Sequence, residues 1–375
     1  MHSECLLSPD LIYLNHAAVS PWPKRTVEAV TRFAQENGTR GAAEYGRWVQ
    51  IEARLRQRLA ALINAHSPAD IALTKNTSEG LSIVAHGLDW QAGDNVVGIA
   101  QEFPSNRIVW ESLRTEGVQC RQLDLYASEA PEADLTALCD RRTRLMAVSS
   151  VQYARGLRLD LEQLGAFCRN QGILLCVDGI QSLGAVPFDL ERIQADFVVA
   201  DGHKWMLGPE GIALLYVNPE VRPRLRLRQY GWHMVEHPGE FERRDWTPAA
   251  DARRFECGSP NMLGIHALEA SLSLLEEVGM ASVEQAINAL TARLLELIDH
   301  RGFELLSPRA PKRRAGIVTF RVPDADPGAL QEKLMAQRVI CANRGGGIRF
   351  SPHFYTPTEQ IERAIELAAE LAAGG

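Results

Sequence analysis

The chain has 375 residues, 46% hydrophobic and 23% charged, enough for about two ordinary soluble domains with cores of their own. These proportions exclude collagen-like, coiled-coil and disordered classes, and a formal net charge of −7 argues against a general nucleic-acid binder. No uncharged apolar stretch reaches membrane-spanning length, and the opening MHSECLLSPDLIYLNHAAVSPWP lacks the basic start and apolar run of a secretory leader.

Short β-rich runs alternate with helical patterns through the middle of the chain. Strands are expected at 69–74, 95–100, 145–151, 173–178, 196–200 and 212–217, and helices at 77–87, 104–116 and 160–171. Near-continuous apolar strands between helices predict a mostly parallel sheet covered on both faces. Segment 218–256 is rich in Arg, Trp and Pro, has weak periodicity and is expected to be irregular. Beyond it the pattern turns to α+β. Long helices are expected at 261–278 and 282–301, short strands at 316–321, 339–342 and 347–351, and helices at 327–337 and 358–373. The expected organisation is an N-terminal arm (1–20), a large α/β domain (21–255) and a smaller α+β domain (256–375).

The seven cysteines are odd in number, scattered and never spaced CxxC. Neither a disulfide framework nor a metal site is expected, and a reducing cytoplasmic setting follows. Only five of the 40 basic residues are lysines (Lys24, Lys75, Lys204, Lys312 and Lys333), so chemistry that needs a primary amine has few candidates. Lys204 follows an apolar strand in ADGHKWMLGPEG, at the strand end where ligand crevices of open α/β sheets lie. An enclosed lysine is neutralised by desolvation and becomes a nucleophile toward carbonyls. Lys75 also follows a strand and is its competitor.

Asp178 ends the apolar run ILLCVD, where a buried acid needs a cation, such as a protonated ring nitrogen. Thr77 and Ser78, in KNTSEG, stand at a strand-to-helix junction. Helix amides there favour an anion, although either hydroxyl could simply cap its own helix. A phosphate anchor, a ring-nitrogen acid and a Schiff-base amine together match the needs of pyridoxal 5'-phosphate (PLP).

VDGIQS (177–182) and DGHKW (201–205) in this order, with YLNHAAVSP (13–21) and IRFSPHFYT (348–356) near the two ends, resemble the class V aminotransferase family of fold-type I PLP enzymes. That group includes cysteine desulfurases, selenocysteine lyases and isopenicillin N epimerase-like proteins. The resemblance implies a Lys204 Schiff base and proton shuttle, with Asp178 on the pyridine nitrogen and Gln181 on the phenolic oxygen. It further implies Thr77, Ser78 and His203 on the phosphate and Phe103 stacked on the ring, where many members have histidine. Arg349 would clamp the substrate carboxylate, with Arg344 its runner-up, and Asn15 and His16 would line the substrate entrance. Ser259 would reach the phosphate of a neighbouring subunit, which implies a homodimer with sites at its interface.

The implied activity is first an aminotransferase acting on a small amino-acid substrate; the alternative is a β-eliminating C–S or C–Se lyase, or an epimerase. Only 345–348 separate Arg344 from Arg349, too short for a cysteine-bearing loop, so a persulfide-forming desulfurase is not expected and Cys341 is assigned to the core. Asp201 and Tyr153 depart from the family pattern. Asp201 is expected to turn away from the phosphate toward an arginine or a backbone donor, and Gln152 or Tyr153 to take over the phenolic-oxygen contact.

Overall fold

The computed structural model describes residues 4–373. In chain order the elements are β1 (Ile12–Tyr13), α1 (Lys24–Arg40), α2 (Tyr45–Leu62), β2 (Ile71–Thr74), α3 (Thr77–Gly87), β3 (Asn95–Ile99), α4 (Ser105–Glu111), β4 (Gln119–Leu123), α5 (Pro131–Ala137), β5 (Thr143–Ser149), α6 (Leu161–Gln171), β6 (Leu174–Asp178), α7 (Leu190–Ile193), β7 (Phe197–Asp201) and β8 (Ala213–Val217). There follow α8 (Met262–Val278), α9 (Met280–His300), β9 (Glu304–Leu305), β10 (Val318–Arg321), α10 (Pro327–Ala336), β11 (Val339–Ile340), β12 (Ala342–Arg344), β13 (Gly347–Phe350) and α11 (Thr358–Ala373). Segment 218–256 holds only two short 3₁₀ turns between β8 and α8. Helices α1 and α2 and the polar edge strand β4 are not among the predicted elements.

The main sheet has seven strands in the order β2-β8-β7-β6-β5-β3-β4. Only β8 runs against the rest. Successive strand residues alternate between two apolar cores. Met146, Leu175, Val177 and Val198 face α2 and α6, while Leu145, Cys176, Phe197 and Val199 face α3 and α4. Burial on both faces explains the near-continuous apolar runs in the sequence. Helix α3 lies hard against β7: a Cβ on Gly80 would come within 2.6 Å of Val199 Cγ1, so glycine permits the close approach.

A second sheet, β12-β13-β10-β9, builds the smaller unit. Its core joins Val318, Phe320, Ile348 and Phe350 to Leu294 and Ile298 of α9 and to Ile361 and Ile365 of α11. Helix α8 instead shares the large core through Ile265, Leu268, Leu272 and Leu275. Helix α9 is shared, with Val283 and Ile287 in the large core and Leu294 and Ile298 in the small one. The N-terminal arm docks on the small unit. Strand β1 pairs with β11 in parallel, Leu14 enters its core, and Asn15 bridges Ser351. Among the described residues no helix is long and apolar enough to cross a membrane.

Candidate active site

The carboxyl ends of β2, β3, β5, β6 and β7 converge on one edge of the large sheet. Lys204 sits there, three residues past β7 and 7% exposed. Burial depresses its ammonium to about 8; Asp178 and Asp201 oppose the shift, while Arg349 adds to it. Lys75 is exposed and pairs with Glu79 at 3.5 Å, so the competing amine is solvated. The turn after Lys204 is held by Leu207 N donating to the Lys204 carbonyl at 3.0 Å. Leu207 has φ 59°, a left-handed backbone that costs a leucine about 1–2 kcal/mol. Full burial of its side chain, worth roughly 1.5–3 kcal/mol, offsets that strain. Ser271 of α8 donates to its carbonyl at 2.8 Å.

Asp178 ends β6, paired with Ser149 on one side and Val199 on the other, and is 2% exposed. Its Oδ1 accepts from Ile180 N at 3.0 Å. Burial raises its pKa to about 6; the Ile180 amide and Lys204 hold it back, and Asp201 adds to the rise. Gln181 is also buried, with Nε2 donating to Ala17 O at 3.0 Å and Oε1 accepting from Trp205 Nε1 at 2.8 Å. Asn76, rather than Thr77 or Ser78, caps α3 by accepting from Glu79 N. The two hydroxyls therefore take no part in the cap. Thr77 Oγ1 accepts from Asp201 N at 3.1 Å, and Ser78 Oγ donates to Ser105 Oγ at 2.8 Å. Asp201 faces His203 rather than an arginine or a backbone donor. Its Oδ1 lies 3.0 Å from His203 Nδ1, out of hydrogen-bond alignment.

Phe103 is 41% exposed, with its ring centroid 5.4 Å from Lys204 Nζ and edge-on to Tyr153 at 5.3 Å. Gln152 accepts from Ala154 N and Arg155 N in its own turn and donates to Gln101 O.

Arg349, on β13, is 2% exposed and forms no ion pair among the described residues. Nη1 donates to Tyr153 O at 2.7 Å and Nη2 to Asn15 Oδ1 at 3.3 Å, while Nε is buried with no partner. Burial, with Arg344 nearby, lowers its pKa to about 10. Arg344 itself is exposed. His16 does not line an entrance. It is fully buried behind Trp205, with Nδ1 donating to Ser351 O and Nε2 accepting from the Tyr355 hydroxyl, both at 2.8 Å. Burial holds it neutral, with a pKa of about 4. Ser259 is exposed near the start of α8. His233 sits beside Glu256, whose carboxylate Arg56 bonds together with Glu52, so a guanidinium already occupies that acidic cluster.

Sequence reasoning missed Glu102. It is 6% exposed and accepts from Ser149 N at 2.6 Å and from Ser149 Oγ. Burial raises its carboxyl to about 7 against the Ser149 bonds, and Asp178 adds to the rise. The signal was an acid directly beside Phe103, at the end of an apolar strand.

The sequence profile of the Aminotransferase class-V family matches residues 12–363. The chain belongs to this family. A probable cysteine desulfurase of Pyrococcus abyssi is 29% identical over an alignment of 389 residues, covering 97% of this chain and 95% of the relative. The isopenicillin N epimerase of Streptomyces clavuligerus is 30% identical over 382 residues, covering 96% and 95%. Among solved structures, a lysine-to-alanine mutant of C-DES with glycine covalently linked to its PLP cofactor superposes with a TM-score of 0.90 at 28% identity, covering 98% of each chain. C-DES is also described as a cystine C–S lyase, in complex with its reaction product cysteine persulfide. The expectation that excluded a cysteine desulfurase finds no support among these relatives.

The family works with PLP, and the residues here fit that group. A buried amine lies near a buried acid that no cation pairs within the described residues, and an α-helix N-terminus opens beside them.

Proposed function

We propose that this chain breaks the C–S bond of a cysteine-type amino acid with PLP as cofactor, through a β-elimination or desulfurase reaction that opens with removal of the α-proton. One observation carries the amino-acid reading. Arg349 is a buried guanidinium without an acid of its own, in the surroundings of a buried lysine whose ammonium it helps to depress. A buried cation requires an anion, and a planar fork matches a carboxylate.

Bound at this edge, the cofactor supplies an aldehyde for the substrate amine and a ring that takes up the electrons left at the α-carbon. Lys204 would hold the aldehyde carbon. Asp178 would keep a proton on the ring nitrogen, and the first turn of α3 with Thr77, Ser78 and His203 would hold the phosphate. Arg349 Nε and the remaining N–H of Nη2 hold the substrate carboxylate, with Asn15 fixing the guanidinium plane. Lys204, its ammonium lowered to about 8, takes the α-proton and then gives it to the departing sulfur in elimination, or to the substrate carbon once sulfur has left in desulfuration. Phe103 adds an apolar wall and no second acid or base.

The named activities of the relatives favour C–S chemistry over the transamination that the resemblance implied first. Purified protein is incubated with cystine, cysteine or alanine, with and without a keto acid. Without a keto acid, either of two outcomes supports the proposal: pyruvate and ammonia formed with sulfide from cysteine or with cysteine persulfide from cystine, or alanine formed with sulfane sulfur passed to a thiol. Turnover only with a keto acid would overturn it in favour of transamination, and racemised substrate in favour of epimerisation.

A homodimer is proposed on two features. Ser259 is exposed, and the excursion after β8 leaves Tyr230 64%, Phe241 78% and Trp246 51% exposed, an aromatic surface of the kind that marks an interface. Light scattering coupled to gel filtration tests it; a monomer at micromolar concentration would refute it.

A further inference from the structure

Gln181 is held between two partners of opposite kind. The indole Nε1 of Trp205 is only a donor, so the atom 2.8 Å from it must be the amide oxygen of Gln181. The carbonyl of Ala17 is only an acceptor, so the atom 3.0 Å from it must be the amide nitrogen. The O and N of an Asn or Gln side chain are told apart by the partners they meet. Here a flip would set oxygen against oxygen and N–H against N–H in a site where Gln181 is 2% exposed. With one N–H taken by Ala17, the amide nitrogen has a single N–H left to give.

The Trp205 side of this lock is itself fixed. The ring is fully buried and its benzo edge packs against Gly316, where an added Cβ would meet Trp205 Cη2 at 2.1 Å. His16 stacks on it at 6.3 Å. His353 Nδ1 accepts from Phe354 N at 2.9 Å, so its Nε2 carries the proton and donates to Trp205 O at 3.0 Å.

The geometry points to Trp205 as a positioning residue that, with the carbonyl of Ala17, aligns Gln181 so that the amide offers the cofactor side an N–H donor. The inference rests on the PLP reading. Its content is that the residue after the Schiff-base lysine decides which way Gln181 faces, and that the acceptor this arrangement suits is an anionic oxygen. The cofactor phenolate has that chemistry.

The test uses full-length protein freed of PLP and titrated with PLP by quenching of intrinsic fluorescence, with the pH titration of the bound chromophore as a second readout. Trp205→Phe removes the donor and keeps a ring. Replacing Trp205 with β-(3-benzothienyl)alanine removes only the N–H at nearly the same shape, and so controls for cavity or folding loss. Both variants should weaken PLP binding roughly tenfold and move the chromophore titration upward in pH. In a Gln181→Ala background the same replacements should have no further effect on either readout. If the benzothienyl variant folds, binds PLP with unchanged affinity and keeps the wild-type titration, Trp205 plays no such part. An equal loss in the Gln181→Ala background would likewise show that it acts elsewhere. Wild-type protein that binds no PLP at all would instead refute the cofactor reading beneath it.

Discussion

Arg349 Nη1 donates to the carbonyl of Tyr153 at 2.7 Å, tying a strand of the small sheet to the loop that follows β5 of the large one. The guanidinium is therefore set in place by backbone, and its orphan Nε is left for a ligand. Arg349→Ala should weaken amino-acid binding by about 2–5 kcal/mol, as expected for truncation of a buried charge partner. Arg349→Lys should recover only part of this, because an ammonium lacks the fork. Substrate titration followed by the cofactor absorbance measures both. Unchanged affinity in the alanine variant would move the clamp to another cation, Arg344 first.

Lys204 and Lys75 both follow strands, but only the former is enclosed. Borohydride treatment of the PLP-loaded protein should fix the cofactor on Lys204 alone, read by peptide mass spectrometry. Label on Lys75 would overturn the site assignment. Lys204→Ala should abolish turnover.

Glu102 makes a pH prediction for the cofactor-free protein. Its carboxyl is raised from 4.5 to about 7 in the folded state. Between these values the unfolded chain has lost the proton that the folded chain still binds, so stability falls as pH rises from about 4.5 to 7 and then levels. Asp178, raised to about 6, contributes with the same sign. Glu102→Gln lacks the first term. Its stability relative to wild type should grow by roughly 3 kcal/mol between pH 4.5 and 8. Urea unfolding across this range measures the difference, and parallel profiles would show that the carboxyl titrates normally.

Cys341 is 3% exposed in the core of the small unit, and burial pushes its thiol up to about 12. A thiol in that state is a poor nucleophile. Cys341→Ala should leave turnover within a few-fold of wild type. A loss above tenfold, with persulfide trapped on this residue in the wild type, would make it the sulfur acceptor.

Much of this site was legible because its parts are local. Lys204, Asp178 and Thr77 each follow an apolar strand, and the parallel order of the sheet brings strand ends together without further information. What was not legible depends on distant packing. His16 lies beside Asn15 in sequence, yet the arm's pairing with β11 and Ser351 turns one toward Arg349 and the other into the core. Glu102 looks like a strand-end cap until β5 brings Ser149 against it. Helices α1 and α2 carry an amphipathic period that was legible in the sequence, whereas β4, an edge strand with a polar, half-exposed face, carries no apolar run.

The opening segment of the chain, from Ile12 to Ala17, is stitched first to a strand of the small unit and then, through one carbonyl, to a side chain beneath the large sheet's reactive edge. An expression variant trimmed to residue 21 would lose both fastenings in a single cut, although every residue assigned to the cofactor would still be present. Fusion partners and purification handles for this protein therefore belong ahead of residue 12 or after α11, where they leave that thread intact.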